Sequence, residues 1–254
     1  MIDFLAYHIQ EAGRMALDAQ AKLTAGDISF KGERDLVTSA DKAVEKYLVD
    51  AIISSYPEHG IIGEESGSHG ADASYCWIID PIDGTTSYVH QQPYFSVSIG
   101  LRKDNTMIAG GVYAPALNQL FLAEKGGGAT LNGAPITVSS CEKMIHAILA
   151  TGFACLRKRS GADNLAVLAK LLPKISDIRR CGSAAIDLAY VAAGKYDGYW
   201  EHNLNLYDIA AGALLVTEAG GTVTDLRGNQ DYPASGIIAT NGAIHDILLQ
   251  GVIV

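Results

Sequence analysis

What this chain is short of narrows its function before any motif is read. Apolar residues fill 48% of its 254 positions, yet no uninterrupted apolar run nears the ~20 residues that a bilayer span requires. Its start, Met1-Ile2-Asp3-Phe4, lacks the basic flank and apolar block of a secretory signal. A soluble, cytoplasmic protein with no membrane partner is therefore expected. Basic residues are scarce too: 19 Lys and Arg face 28 Asp and Glu, a formal charge of −9. That balance argues against a general polyanion-binding surface, so nucleic acid is not expected as the primary partner. An anionic substrate would need a local cationic device, such as metal ions. The four cysteines, Cys76, Cys141, Cys155 and Cys181, are scattered with no Cys-x-x-Cys pair. Neither a zinc knuckle nor a disulfide framework is indicated, and reduced, mostly buried thiols are expected. Internal repeats and low-complexity segments are also missing.

The length suits one compact unit, 1–254, near the size at which a core begins to divide. Subdomains of about 1–145 (antiparallel α+β) and 146–254 (α/β) are expected, because the pattern changes there. In the first part, Leu5, Ile9, Ala12, Ala16, Ala19 and Leu23 form a helical stripe ending near Gly26, with Lys31 in the following loop. Thr38 with Asp41 reads as a capping box before the helical positions Val44, Leu48, Ala51 and Ile52. Gly60 to Gly63 is a short strand running into Glu64-Glu65-Ser66 and an exposed loop to Ser74. Stretches from Phe95 to Ala123 read as strands, the triple glycine at 126–128 as a turn, and Asn132-Gly133 as a hairpin, which together make an antiparallel meander. In the second part strands at Ala147–Thr151 and Tyr196–Trp200 alternate with helices at Ala162–Leu172, Ile186–Ala193 and Ile209–Glu218. Strands at Thr222–Leu226 and Ile237–Thr240 and a short helix from Ala243 follow. Arg157, Lys158 and Arg159 read as a solvated loop. Gly182-Ser183 at a helix start offers free N–H groups to an anion, or small residues for close packing.

Chemistry concentrates in Trp77-Ile78-Ile79-Asp80-Pro81-Ile82-Asp83-Gly84-Thr85-Thr86, where an apolar run ends in two carboxylates, a glycine and two hydroxyls. The run suits a strand buried on both faces, with Pro81 expected to stop it. In a tight turn Asp80 and Asp83 can face one point, Gly84 lets the backbone approach a ligand, and Thr85 can open a helix. Two carboxylates facing one point repel unless a hard cation such as Mg²⁺, Ca²⁺ or Mn²⁺ sits between them; the alternative is an ordinary turn whose acids serve as caps. Glu64, at a strand end, and Asp208, near a helix start, are further candidates, each with its own reading as a surface or capping residue.

Taken in order, Gly63-Glu64-Glu65-Ser66, the Trp77 to Thr86 stretch, and Asp208-Ile209-Ala210-Ala211-Gly212 with Glu218-Ala219-Gly220-Gly221 resemble the signature motifs of the inositol monophosphatase family, and the likeness runs from the first helix to the last strand. The resemblance implies a layered α-β-α-β-α sandwich of the sugar phosphatase type, a fold of the mixed α+β class. It implies hydrolysis of a phosphate monoester such as myo-inositol 1-phosphate, two or three Mg²⁺ ions with Mn²⁺ as a substitute, sensitivity to lithium, and a homodimer. By motif, Glu64, Asp80, the Ile82 carbonyl, Asp83 and Asp208 would hold the metals. Glu64 and a Thr85–Asp41 pair would orient and deprotonate the attacking water. Gly84, Thr85 and Thr86, with the metal-bound Asp83 and Asp208, would receive the phosphate, while Ser183, Ala184 and Glu201 would line the substrate's hydroxyl side. Lys31, Arg179 and Arg180 match positions near the site. The sequence departs from the commonest pattern at Ser87-Tyr88, at Tyr207 and in Gly-Ser-Ala-Ala, which bears on substrate preference. Relatives of this fold act on fructose 1,6-bisphosphate, histidinol phosphate or 3′-phosphonucleotides, and some take a regulatory binding role in transcription, so these remain alternatives.

Overall fold

The computed structural model describes residues 1–32, 35–158, 164–230, 232–233 and 235–252. The chain opens with α1 (Ile2–Gln20), the hairpin β1 (Ile28–Gly32) and β2 (Asp35–Thr38), and α2 (Ser39–Ser55). Then come β3 (Gly60–Gly63), β4 (Gly67–His69), β5 (Tyr75–Asp83) and the short α3 (Thr85–Val89). The meander follows as β6 (Ser96–Lys103), β7 (Thr106–Ala114), β8 (Gln119–Glu124), β9 (Gly128–Leu131) and β10 (Ala134–Ile136). The second half runs β11 (Ile148–Thr151), α4 (Ala154–Lys158), α5 (Asn164–Leu171), β12 (Asp177–Arg179), α6 (Ala184–Ala192) and β13 (Gly198–His202). It closes with α7 (Leu206–Glu218), β14 (Thr222–Thr224), β15 (Gly236–Thr240) and α8 (His245–Val252).

Strands 10-9-8-7-6-5-3-4 form one sheet and 12-11-13-15-14 another. The apolar stripe of α1 (Leu5, Ile9, Ala12, Ala16) and that of α2 (Val44, Leu48, Ile52) cover one face of the larger sheet through Trp77, Ile79, Val97 and Leu101. On its other face, Val112 and Phe121 meet α6 and α7, which also cover Tyr199, Ile237 and Ala239 of the smaller sheet. The outer face of the smaller sheet packs Leu149, Trp200 and Ile238 against Val167 of α5 and Leu248 of α8. Helix, sheet, helix, sheet, helix is therefore the order of layers. Helices α6 and α7 are buried along most of their length and, Asp187 and the ends of α7 apart, mostly apolar, because a sheet packs on both sides of them. Among the described residues no helix is long and apolar enough to cross a membrane. The four cysteines are unpaired, with Cys76 and Cys155 buried and Cys141 and Cys181 half-buried.

Several boundaries differ from expectation. Helix α1 ends at Gln20, because Ala21 to Leu23 turn away through short backbone bonds such as Lys22 N–H to the Ala19 carbonyl. Lys31 lies in β1, an outer hairpin strand whose polar residues look like loop in sequence; its side chain lies outside the described residues, as do those of Arg157 and Lys158 and the whole of Arg159. The exposed loop that follows Ser66 contains β4, paired to β3 although its side chains are solvated. Asn132 and Gly133 both take positive φ (49° and 81°), as the two-residue hairpin demands.

Candidate active site

Pro81 does not stop β5. The strand continues to Asp83 with an irregularity: Asp80 pairs with Ser98, and Asp83 with Ser96, so three steps on β5 match two on β6. Residues three apart on a regular strand face opposite ways. The extra residue is a bulge that restores Asp83 to the face of Asp80. An absent donor helps place it here, since proline has no N–H to give the ladder. Gly84 then takes φ 93°, and a Cβ there would lie 2.8 Å from the Tyr94 carbonyl and 3.2 Å from that of Gly182. Only glycine lets β5 turn into α3 so close to the Gly182-Ser183 loop.

That closeness joins the two halves. The Asp83 Oδ2 accepts hydrogen bonds from the Ser183 hydroxyl and from the Ala185 N–H, both at 2.7 Å. Ser183 is also the cap of α6, accepting from Ile186 N–H at 3.2 Å, and its hydroxyl lies 3.1 Å from that of Ser96. The anion that the Gly-Ser helix start receives is thus the protein's own carboxylate. Asp208 serves as capping residue as well, taking the Asn205 N–H at 2.6 Å at the start of α7. The bland and functional readings of this acid coexist.

Glu64 leaves β3 with its N–H bonded to the Ile79 carbonyl at 3.2 Å, next to Asp80. Asp80 is 2% exposed. Burial, and then the charges of Glu64, Asp83 and Asp208, raise its proton affinity well above the ordinary carboxylate range, and its side chain is hydrogen-bonded to Glu64. Burial raises Asp83 to about 6 against the pull of Ser183 and Ala185, with Glu201 and Glu64 adding repulsion. Asp208 is pushed up to about 8 by burial and by the charge of Asp83. All four acids are therefore within electrostatic reach of one another. Among the described residues, no three His, Cys, Asp or Glu side chains stand ready in ligating geometry. The donor set is nonetheless all oxygen, buried, and crowded with like charge. These are the conditions that a hard divalent cation relieves, and the residues fit such an ion.

The expected Thr85–Asp41 pair is not formed. The Thr85 hydroxyl donates to the Ile82 carbonyl at 3.2 Å, while Asp41 Oδ2 accepts the Thr38 N–H at 2.8 Å and hydroxyl at 2.6 Å. The capping box on α2 wins because both its partners are three residues away on an already ordered turn. Burial raises Asp41 to about 6 despite Thr38, and Glu64 and Glu65 face it. Gly84 and Thr85 are half-buried and Thr86 is exposed, so the start of α3 is open to a ligand.

Asp83, Ser183, Ala184, Glu201 and Asp208 share one pocket with Arg180. Arg179 instead pairs with Asp177 at the surface, where both are about half exposed. Glu201 lies inside β13 and is held by Tyr199 O–H at 2.6 Å and Ala154 N–H at 2.8 Å, with its carboxyl filling the space a side chain at Gly152 would need. Asp187 also lines this pocket, buried in α6, its Oδ1 without a hydrogen-bond partner. Burial and the charges of Glu201 and Asp83 raise its proton affinity well above the usual range. Its signal in sequence is a single acid in an otherwise apolar helix.

The model of the Inositol monophosphatase family matches residues 2–252. The chain is 42% identical over 252 residues to a protein of Escherichia coli K12 named Nus factor SuhB, covering 98% of this chain and 94% of that one. It is 37% identical over 254 residues to an inositol-1-monophosphatase of Mesorhizobium japonicum, covering 99% and 96%. The solved structure of inositol monophosphatase from Anabaena superposes with a TM-score of 0.90 at 39% identity, covering 99% of this chain and 94% of that one.

Proposed function

Since this chain belongs to the inositol monophosphatase family, whose members are generally metal-dependent, we propose that it is a Mg²⁺-dependent phosphoric monoester hydrolase acting on inositol monophosphate. The observation that carries the reading is the buried Asp80 crowded by Glu64, Asp83 and Asp208. In water such acids would separate; here β3, β5 and α7 hold them together. Glu64, Asp80, Asp83, Asp208 and the Ile82 carbonyl would hold the ions, which when bound lower the pKa of water and stabilise the charge of an in-line displacement.

The remaining roles fall to the chain itself. Glu64 would take the proton of the attacking water, and its charge reaches Asp41. The N–H groups that open α3 at Gly84, Thr85 and Thr86 lack carbonyl partners within their own helix and suit phosphate oxygens. Glu201, already fixed by Tyr199 and Ala154, is suited to accept hydrogen bonds from a cyclitol's hydroxyls on the far side of the ester. No covalent intermediate is required when a metal-activated water is the nucleophile, and Cys76 is buried inside β5.

The test is phosphate release from myo-inositol 1-phosphate with Mg²⁺, with Mn²⁺ and with EDTA, alongside fructose 1,6-bisphosphate, histidinol phosphate and a 3′-phosphonucleotide. Turnover is expected with metal and not with EDTA, and fastest on inositol phosphate. Activity indifferent to EDTA would remove the metal reading, and a faster competitor would reassign the substrate. The relatives named as Nus factors support a second reading, a regulatory binding role in addition to hydrolysis. A protein with that role alone would turn over none of these esters.

A further inference from the structure

Glu45 lies one helical turn beyond Asp41 on the same face of α2 and is only 2% exposed. Its partners are unusual for a helix glutamate. Oε2 accepts the N–H of Glu65 at 2.9 Å, and Oε1 accepts that of Ser66 at 2.6 Å. The carboxylate also fills the space beside Gly63, where a Cβ would lie 2.7 Å from Oε1. With the Glu64 N–H bonded to the Ile79 carbonyl, three consecutive backbone donors are fixed as the chain leaves β3.

We propose that Glu45 is a positioning residue: by clamping the 65–66 backbone from α2, it holds the Glu64 carboxylate toward Asp80 and so pre-forms this side of the cation site. A carboxylate is needed because its two oxygens each accept from one N–H in charge-assisted bonds. An amide in its place keeps one acceptor and turns an NH₂ toward the other backbone donor, leaving a buried N–H unpaired. The glycine before Glu64 is explained by the same clamp, since any side chain there would displace the carboxylate. Because Asp41 sits on the same helix face, α2 sets the places of both acids that flank the attacking water. The inference rests on the metal-dependent reading above.

The experiment measures Mn²⁺ binding by isothermal titration calorimetry to the wild-type protein, Glu45→Gln and Gly63→Ala, with thermal melts of each, and amide exchange of the wild type with and without Mn²⁺. Both variants are expected to bind Mn²⁺ roughly tenfold more weakly, and the Glu65 and Ser66 amides to be protected even without metal. A role confined to stability would lower the melting temperature and leave the affinity unchanged, which overturns the proposal. Glu65 and Ser66 amides that exchange as fast as those of an unstructured peptide would overturn it even if both variants failed to fold. Wild-type protein that binds no divalent cation would instead overturn the functional reading, and this inference with it.

Discussion

Glu201 is where the proposed division between recognition and catalysis can be tested on a single carboxylate. Tyr199 precedes it by two positions on β13 and therefore shares its face, and the fully buried Tyr199 hydroxyl donates to Glu201 Oε2 at 2.6 Å. Tyr199→Phe deletes that donor while keeping the ring, which leaves the acceptor short of about 1–3 kcal/mol of hydrogen bonding. Glu201 then tilts without touching the carboxylates around Asp80. KM for inositol 1-phosphate is expected to rise roughly tenfold, while turnover of p-nitrophenyl phosphate, which has no hydroxyls for Glu201, stays within about twofold. Glu201→Gln should act in the same direction. Equal losses on both substrates in steady-state assays would move Glu201 out of substrate recognition. At this scale the acids at the ends of apolar segments were legible as candidates, each with a capping or surface reading beside it that only the family's motifs outweighed. Glu45 and Asp187 were not: Glu45 stands beside Lys46 as on a solvated face, and nothing local reveals that its neighbour is the backbone of another element.

The elements were read well where one local rule governs them. Asn132-Gly133 dictated its hairpin, and Thr38 with Asp41 dictated the start of α2. Reading failed where a partner strand overrides local chemistry, as at Pro81, which the bulge accommodates, and in β1 and β4, which are strands only because of what they pair with. Helix α7 carries a testable case of the same conflict. Gly212 in its middle should cost up to about 1 kcal/mol against alanine, yet a Cβ there would lie 2.6 Å from Leu188 of α6. Overpacking typically costs about 1–3 kcal/mol, so contact outweighs propensity. Gly212→Ala is expected to lower the urea midpoint; a raised midpoint would show that α6 and α7 can separate at little cost.

For the molecule as a whole, the layered architecture was legible through the family's motifs and much less through periodicity, because α6 and α7 are buried on nearly every side and show no polar face to read. The clustered acids give the whole fold a pH signature. Asp83 at about 6 and Asp208 at about 8 keep protons that the unfolded chain, with carboxyls near 4, has released. The folded state binds more protons through that window, so the cluster's contribution to stability is full below about pH 4 and is lost as pH rises toward 8. A cation competes with the same protons. The gain in melting temperature on adding Mg²⁺ should therefore grow from pH 5 to pH 8; taking the difference cancels the half-buried His202 and the buried His245, whose depressed values act in the opposite sense. A gain that is flat with pH would mean that the ion binds elsewhere.

The bond from Ala185 to Asp83 spans 102 positions, and it gives the protein a timetable during synthesis. Every strand of the larger sheet has left the ribosome before Ser183 is made, so that sheet can assemble around Asp83 while its partners are still untranslated. At about 5–20 residues per second the completed sheet, whose last strand ends at Ile136, waits roughly 2–9 s. A nascent chain arrested in that interval would carry most of the carboxylates and none of the α6 donors that hold Asp83 in place. The carboxylate cluster is thus completed late in translation, first by Ser183 and the start of α6, which fix Asp83, and then by Asp208.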